Sequence, residues 1–461
     1  MTVSRRNFLV GAGALSLAAT MSARGRAASP AILSARQGTA QIAPADYAAT
    51  PIWGYEGRTP GPLLRIRQGA RLTRRFVNEL PQASTIHWHG IRIDNAMDGV
   101  PDLTQKATPP NGQFLYDFTA PDAGTYWYHP HNRTWEQMAR GLYGALIVEE
   151  PEAPRVDRDE VLLIDDWRLT QDARIADNFG MITDWAHGGR LGNWITVNGQ
   201  SAFALSVKRY ERLRLRLVNT ANARIFSLGL EGLAGWIVAL DGQPVAAPTL
   251  AGGRLILAPA QRMDLIVDVT SAPGSKAQLV SFDRNRPLSI AAFDIADTVR
   301  NERLPAPVPL PPNPVPALGP LDKARRATLR MEGGAMGGMR GAMIDGRMMG
   351  MRALVDTGKV WAFNGLADMP DTPLIAASAG ETIRIKMIND TAWPHAMHLH
   401  GHHFRKIGPD KTPDPLRDTI LMDRNETAEI AFVADNPSDW LLHCHMLEHS
   451  AGGMMTWLKV S

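Results

Sequence analysis

At 461 residues the chain exceeds one ordinary core, so two or three domains are expected. A composition of 44% hydrophobic and 21% charged residues excludes wholesale disorder, and a single cysteine excludes an internal disulfide framework. The first 29 residues hold four arginines and no acidic residue, so without them the formal charge falls from +3 to −1, which gives no reason to invoke nucleic acid or an anionic membrane.

The chain opens with "SRRNFLV" at 4–10, a twin-arginine pattern followed by a weakly apolar run through Ala23. That run is about 16 residues, short of the ~20 a membrane-spanning helix needs. Residues 1–28 are therefore expected to be a twin-arginine export signal, with a periplasmic product and no stable membrane anchor.

Beyond the leader, short apolar–polar alternations bounded by Gly, Pro, Asn and Asp recur, while long amphipathic helical periods are scarce. The predicted fold class is all-β. "LLRIRQGARLTRRFVNEL" (63–80), "ALSVKRYERLRLRLVNTA" (204–221) and "PLIAASAGETIRIKMINDTA" (373–392) each read as strand, turn, strand, ending at Asn78, Asn219 and Asn389. Their domain-sized spacing predicts three copies of one β-sandwich, each strand half-buried. A polar connection at 149–160 and a Pro-rich stretch at 304–320 suggest domains at 40–155, 156–303 and 321–461, with 304–320 an extended surface linker. Within the third, "MEGGAMGGMRGAMIDGRMMGM" (331–351) holds seven of twenty methionines among seven glycines, a density that argues against a stable core helix. It is read as a Met-rich insertion over 331–352.

Ten of thirteen histidines fall in four clusters: "HWH" (87–89), "HPH" (129–131), "HAMHLH" (395–400) and "HCHMLEH" (443–449). In a strand, residues two apart face the same side. A strand over 440–446 would aim His443 and His445 one way and Cys444 the other, so the thiol would serve one metal site and its neighbours a second. A soft thiolate, two imidazoles and a distant thioether form the ligand set of a blue-copper site. Cys444, His449, Met454 and one upstream histidine can supply it; structural zinc usually takes paired cysteines instead.

With these four motifs the chain, from about residue 45 onward, resembles the multicopper oxidases of the laccase-like kind. The resemblance implies three cupredoxin-like Greek-key β-sandwich domains and four copper ions. It implies a type 1 copper on His395, Cys444, His449 and axial Met454, and a type 2 copper on His87 and His398. It further implies a type 3 pair, one ion on His89, His129 and His445 and the other on His131, His400 and His443. The cluster would lie between the first and last domains, the middle one acting largely as a spacer. Oxygen would be the acceptor and cuprous ion or phenols the donors, in a protein expected to be monomeric.

Asp98 lies nine residues after His89, where related cuprous oxidases carry an acidic residue near the cluster, and is expected, with Cys444 and His449, to take part in the reaction. Many bacterial relatives place a proton-relaying glutamate after the residue corresponding to His449. This sequence has Ser450 there, and Glu448 precedes the histidine, aimed elsewhere by strand-like geometry. His402 and His403 are read as supporting or surface residues and His187 as no ligand. Thioethers favour cuprous ion, and a Met-rich insertion resembles that of copper-efflux oxidases. Met343 and Asp345 are the best candidates for a labile substrate copper, with Met339, Met348, Met349 and Met351 as feeders. Such relatives also carry an Asp and a Met just before the third histidine cluster; here "NDTAWPH" offers Asp390 one place further away, and Trp393. The alternatives are a general laccase in which this segment is only a lid, and a non-catalytic copper storage or delivery protein.

Overall fold

The computed structural model describes residues 30–283 and 286–461. The expected export signal lies outside the described residues. Among those described, no helix is long and apolar enough to cross a membrane.

The chain is nearly all β and forms three successive two-sheet units. The first pairs a sheet ordered Thr50–Tyr55, Ala31–Ala40, Arg71–Asn78, Gln113–Thr119 with one ordered Leu64–Arg67, Gly144–Glu149, Gly124–His129, His87–His89. The second pairs a six-stranded sheet, centred on Arg212–Asn219 and Arg262–Val269, with a five-stranded one. The third sets the sheet holding Arg325–Gly333, Thr382–Asn389 and Thr427–Val433 against the sheet holding Met455–Val460, Ser438–Cys444 and His395–Leu399.

The three related segments occupy the same place in each unit. Arg71–Asn78, Arg212–Asn219 and Thr382–Asn389 each pair in parallel with their unit's leading strand and antiparallel with a later one. Each ends on a buried asparagine that closes the following turn. The Oδ1 atoms of Asn78, Asn219 and Asn389 accept from the backbone N–H two residues on, at 3.0–3.1 Å. Their Nδ2 groups donate to carbonyls on either side, Gln82 and Thr108 for Asn78, Arg224 and Leu257 for Asn219, and Trp393, Asp423 and, at 3.5 Å, Met422 for Asn389.

The expectation of half-buried strands fails in the middle unit, where all eight residues of Arg212–Asn219 are buried. Leu213, Leu215 and Leu217 enter the sandwich core. On the opposite face Arg214 meets Glu150 and Asp264, while Arg216 meets Thr125 and Asp159. Glu150 and Thr125 precede the middle unit in the chain, so the arginine face is covered by a neighbour rather than by solvent. An apolar cluster that includes Trp127, Tyr143, Trp167, Val218 and Leu447 spans all three units at their junction.

The Pro-rich stretch carries no strand or helix and is largely exposed, pinned by Leu310 against Val238, Ala239 and Ile266. The Met-rich segment begins later than expected, because Met331 is a fully buried core residue of Arg325–Gly333. Its remainder is a two-stranded hairpin, Gly341–Ile344 with Arg347–Gly350, followed by a short helix, Met351–Asp356.

Candidate copper centres

The four histidine clusters converge because the strands that carry them are neighbours. His87–His89 lies antiparallel to Gly124–His129, with His87 opposite His129. His395–Leu399 lies antiparallel to Ser438–Cys444, with Met397 opposite Cys444 and His398 opposite His443. The pleat separates the two chemistries: Cys444 points into the apolar core of the third unit with Met397 and Met454, and His443 points toward His131 and His400. The strand ends at Cys444, so His445 lies just past it; its N–H is held by the Ala396 carbonyl at 2.6 Å.

On the core side, His395 Nδ1 and His449 Nδ1 face each other at 3.0 Å, and Cys444 Sγ is 3.7 and 3.8 Å from them. All three residues are fully buried, as is Met454, whose carbonyl accepts the Cys444 N–H. Each ring's far nitrogen has its own partner: His449 Nε2–H donates to the His187 carbonyl at 2.6 Å, and His395 Nε2 lies 2.9 Å from the Thr391 hydroxyl. That fixes which nitrogens face inward. Burial pushes the Cys444 thiol up to about 12 and holds His395 well below the ordinary imidazole range. A cation at this spot would reverse the first effect, since a coordinating thiol is deprotonated.

On the other side eight imidazoles meet. His129 Nε2 is 3.4 Å from both His89 Nδ1 and His445 Nε2. His400 Nε2 is 3.2 Å from His443 Nε2, and the His131 ring stands edge-on to both. The Nε2 atoms of His87 and His398 are buried with no hydrogen-bond partner among the described residues, their rings 6.0 Å apart. The outward nitrogens are again held: His87 Nδ1 by the Asp98 carbonyl at 2.8 Å, His398 Nδ1 by the Asp418 carbonyl at 2.9 Å, and His443 Nδ1 by the Cys444 carbonyl at 2.9 Å. Burial keeps His89, His129, His400, His443 and His445 well below the usual imidazole range. Neutral rings with lone pairs converging in a dry interior are unfavourable unless something positive sits between them. The donor set fits copper: nitrogen-only on one side, nitrogen and sulfur on the other.

Asp98 is buried, and its Oδ2 is 2.9 Å from His400 Nδ1. Burial works to raise its carboxyl, and the neighbouring His400 and His87 outweigh this to hold it well below the ordinary range. Ser450 Oγ lies 3.2 Å from His443 Nδ1. A cleft of about 300 Å³, lined by His129, His131, His443, Ser450, Lys359 and Trp185, leads to this cluster. Glu448 does point elsewhere, toward Asn222 of the middle unit at 2.9 Å, but because Leu447–Ala451 is helical rather than extended.

His402 and His403, read as supporting or surface residues, are both buried, and His403 lies 3.8 Å from Asp418. The middle unit is more than a spacer: it supplies the His187 carbonyl on His449 and the Arg262 guanidinium on Asp418. His187 is exposed and stands apart from the clusters, yet its backbone matters; a carbonyl leaves no mark in the sequence. In the Met-rich hairpin, Met343 and Met348 face each other across the strands and are 36% and 72% exposed, with Asp345 exposed at the tip. Met339, Met349 and Met351, expected as feeders, are half-buried against Ala342, Leu354, Ala362 and Ala367. Asp390 is paired with Arg330 at 2.8 Å.

A strand-borne thiol backing onto a histidine cluster offers two adjoining sets of donors of the kind that suit copper, and comparison with known proteins points to a copper family. Family models described as multicopper oxidase match residues 37–153, 158–287 and 347–461. The chain is similar to a multi-copper oxidase from Pseudomonas thermotolerans (TM-score 0.82, 32% identity, covering 94% of this chain and 99% of that one). It is similar also to Lac15 from a marine microbial metagenome (TM-score 0.76, 42% identity, 94% and 100% covered). A copper resistance protein A homolog of Pseudomonas syringae pv. tomato is 25% identical over 88% of each chain. This chain belongs to the multicopper oxidase family, and is an oxidoreductase with dioxygen as acceptor.

Proposed function

We propose that the protein holds four copper ions and couples four one-electron oxidations to reduction of dioxygen to two waters. His395, Cys444, His449 and Met454 would hold the type 1 ion; His87 and His398 the type 2 ion. His89, His129 and His445, and His131, His400 and His443, would hold the type 3 pair. When bound, copper supplies the electron storage and oxygen chemistry that no side chain provides. The chain's residues do the rest. Carbonyls and Asp98 fix the tautomers, the apolar core keeps Cys444 dry, and Asp98 and Ser450 stand where protons for water formation must be delivered. The observation that carries the reading is the covalent neighbourhood of Cys444 and His443, which puts a single peptide bond between a thiolate site and a nitrogen site.

Cuprous ion is the favoured donor, with phenolic or aromatic compounds accepted, and copper tolerance in the periplasm is the setting. The Met343–Met348 pair supports this, since paired thioethers suit Cu(I) and the two are 36% and 72% exposed. A second reading, a laccase with a methionine lid, draws on the half-buried Met339, Met349 and Met351. Deleting 333–352 separates them. The expected result is loss of cuprous oxidation with phenol turnover retained; unchanged cuprous turnover would sink the substrate-copper reading. Oxygen uptake with either donor excludes the storage or delivery alternative.

A further inference from the structure

Asp418 sits behind the histidine cluster, fully buried, in a place no copper-ligand pattern announces. Its Oδ1 is 3.4 Å from His89 Nε2 and 3.5 Å from His398 Nδ1, and its own backbone carbonyl takes the His398 Nδ1–H. One residue therefore stands behind a ring of the first unit and a ring of the third. In the ligand reading above these rings serve different coppers, the type 3 pair and the type 2 ion.

The carboxylate is itself held from the middle unit. Arg262 Nη1 donates to Oδ1 at 2.8 Å and Nη2 to Oδ2 at 2.5 Å, the two-pronged geometry that fixes a carboxylate's plane. Arg262 is fully buried, and its Nε–H donates to the Thr125 carbonyl of the first unit at 3.2 Å. Asp241 accepts from the Arg262 N–H at 2.9 Å and from the Thr419 N–H at 3.3 Å, binding the arginine's strand to the residue after Asp418. Gln261 adds a bond from its Nε2 to the Thr419 carbonyl at 3.0 Å. All three units thus meet on one ion pair directly behind the cluster.

Gly90, which follows the second histidine of "HWH", makes room for it. Its φ is +86°, and a Cβ there would lie 2.2 Å from Arg262 Nη2 and 2.6 Å from Asp418 Oδ2. Asp418 is near enough to His89 and His398 to be mistaken for a ligand itself. With a guanidinium on both of its oxygens, a metal ion drawn to it would face that second cation at close range. Orientation of the two rings is the role left.

We infer that Asp418 and Arg262 are positioning residues, through which the middle unit sets the rings of His89 and His398 and thereby the copper affinity of the histidine cluster. This rests on the ligand reading above, and the test keeps the two apart. Loss of partners behind a ligating histidine typically lowers metal affinity 10–100-fold.

The experiment compares the holoenzyme with Arg262→Gln, Arg262→Lys, Asp418→Asn and Gly90→Ala. It measures copper bound per chain after dialysis against a competing chelator, the type 2 electron paramagnetic resonance signal, and the visible thiolate absorption as an internal control. Arg262→Gln, Asp418→Asn and Gly90→Ala are expected to lose cluster copper at chelator concentrations at least tenfold lower than the parent protein, with an altered type 2 hyperfine splitting. Arg262→Lys, which keeps the charge and loses the fork, is expected to fall between. The thiolate band should persist in all four, and its persistence shows that the third unit is folded. Gly90→Ala removes no charged group, so it tests geometry even if Arg262→Gln fails to fold. Variants that keep full copper with an unchanged type 2 signal would overturn the inference. A parent protein with no cluster copper would overturn the ligand reading instead.

Discussion

Cys444 illustrates how much one residue's environment decides. Its thiol is buried, pushed up in pKa and 3.7–3.8 Å from two imidazole nitrogens, so it has no use as an exposed nucleophile. Cys444→Ser should abolish the visible thiolate absorption and lower turnover at least a thousandfold, while leaving bound copper at the histidine cluster; absorption spectra and metal analysis check both. Asp98→Asn should lower oxygen reduction by about 10–100-fold, read as kcat, with the thiolate band unchanged.

The imidazoles also predict how the copper-free protein behaves in acid. Burial holds His131 and His402 at about 3 and His403 and His449 at about 4, against an ordinary value near 6.5. The unfolded chain therefore takes up protons that the folded one refuses. The stability these groups contribute is fully present above about pH 6.5 and is lost as pH falls toward 4 for His403 and His449 and toward 3 for His131 and His402, by about 1.4 kcal/mol per pH unit for each such ring. Thermal midpoints of the copper-free protein should drop steeply between pH 7 and 5, and a flat profile would contradict the burial argument.

At the scale of elements, the hairpin Gly341–Ile344/Arg347–Gly350 separates methionines by role. Replacing Met343 and Met348 together with leucine should raise the KM for cuprous ion several-fold and leave phenol kinetics within a factor of two. The histidine motifs and the alternation that turns Cys444 away from its neighbours were legible in the sequence, because ligand type and strand period are written in consecutive residues. What was not legible is what one element does to another. Met331 read as part of the insertion and is core, since composition does not show which strand a methionine packs beneath. Glu448 read as strand-borne and is helical, because five residues are too few for a helical period to declare itself.

For the whole molecule, three repeats end on a buried asparagine whose side chain makes at least three hydrogen bonds, and the repeat was visible as spacing alone. Asn219→Ala would orphan the Arg224 and Leu257 carbonyls and the Ala221 N–H. A loss of roughly 2–4 kcal/mol is expected, with each orphaned group worth about 1–3 kcal/mol at most; denaturant midpoints test it. Burial of the arginine face of Arg212–Asn219 was invisible to the pattern, because alternation reports two faces but not whether another unit covers the polar one. For the same reason Arg262 and Asp418 went unseen: they are 156 residues apart, and their meeting is a property of how the units dock.

The turn around His187 has one more consequence. Its carbonyl occupies the outward nitrogen of His449, so that ring has no free edge to offer an arriving reductant. The segment doing this belongs to neither strand that bears the sulfur site's ligands. Donor range can therefore drift by remodelling Ile182–Ala186 and the few residues after it, while the redox core is inherited untouched. Shortening that turn should widen access for bulky aromatics, and a rise in their kcat/KM at constant thiolate absorption is the signature.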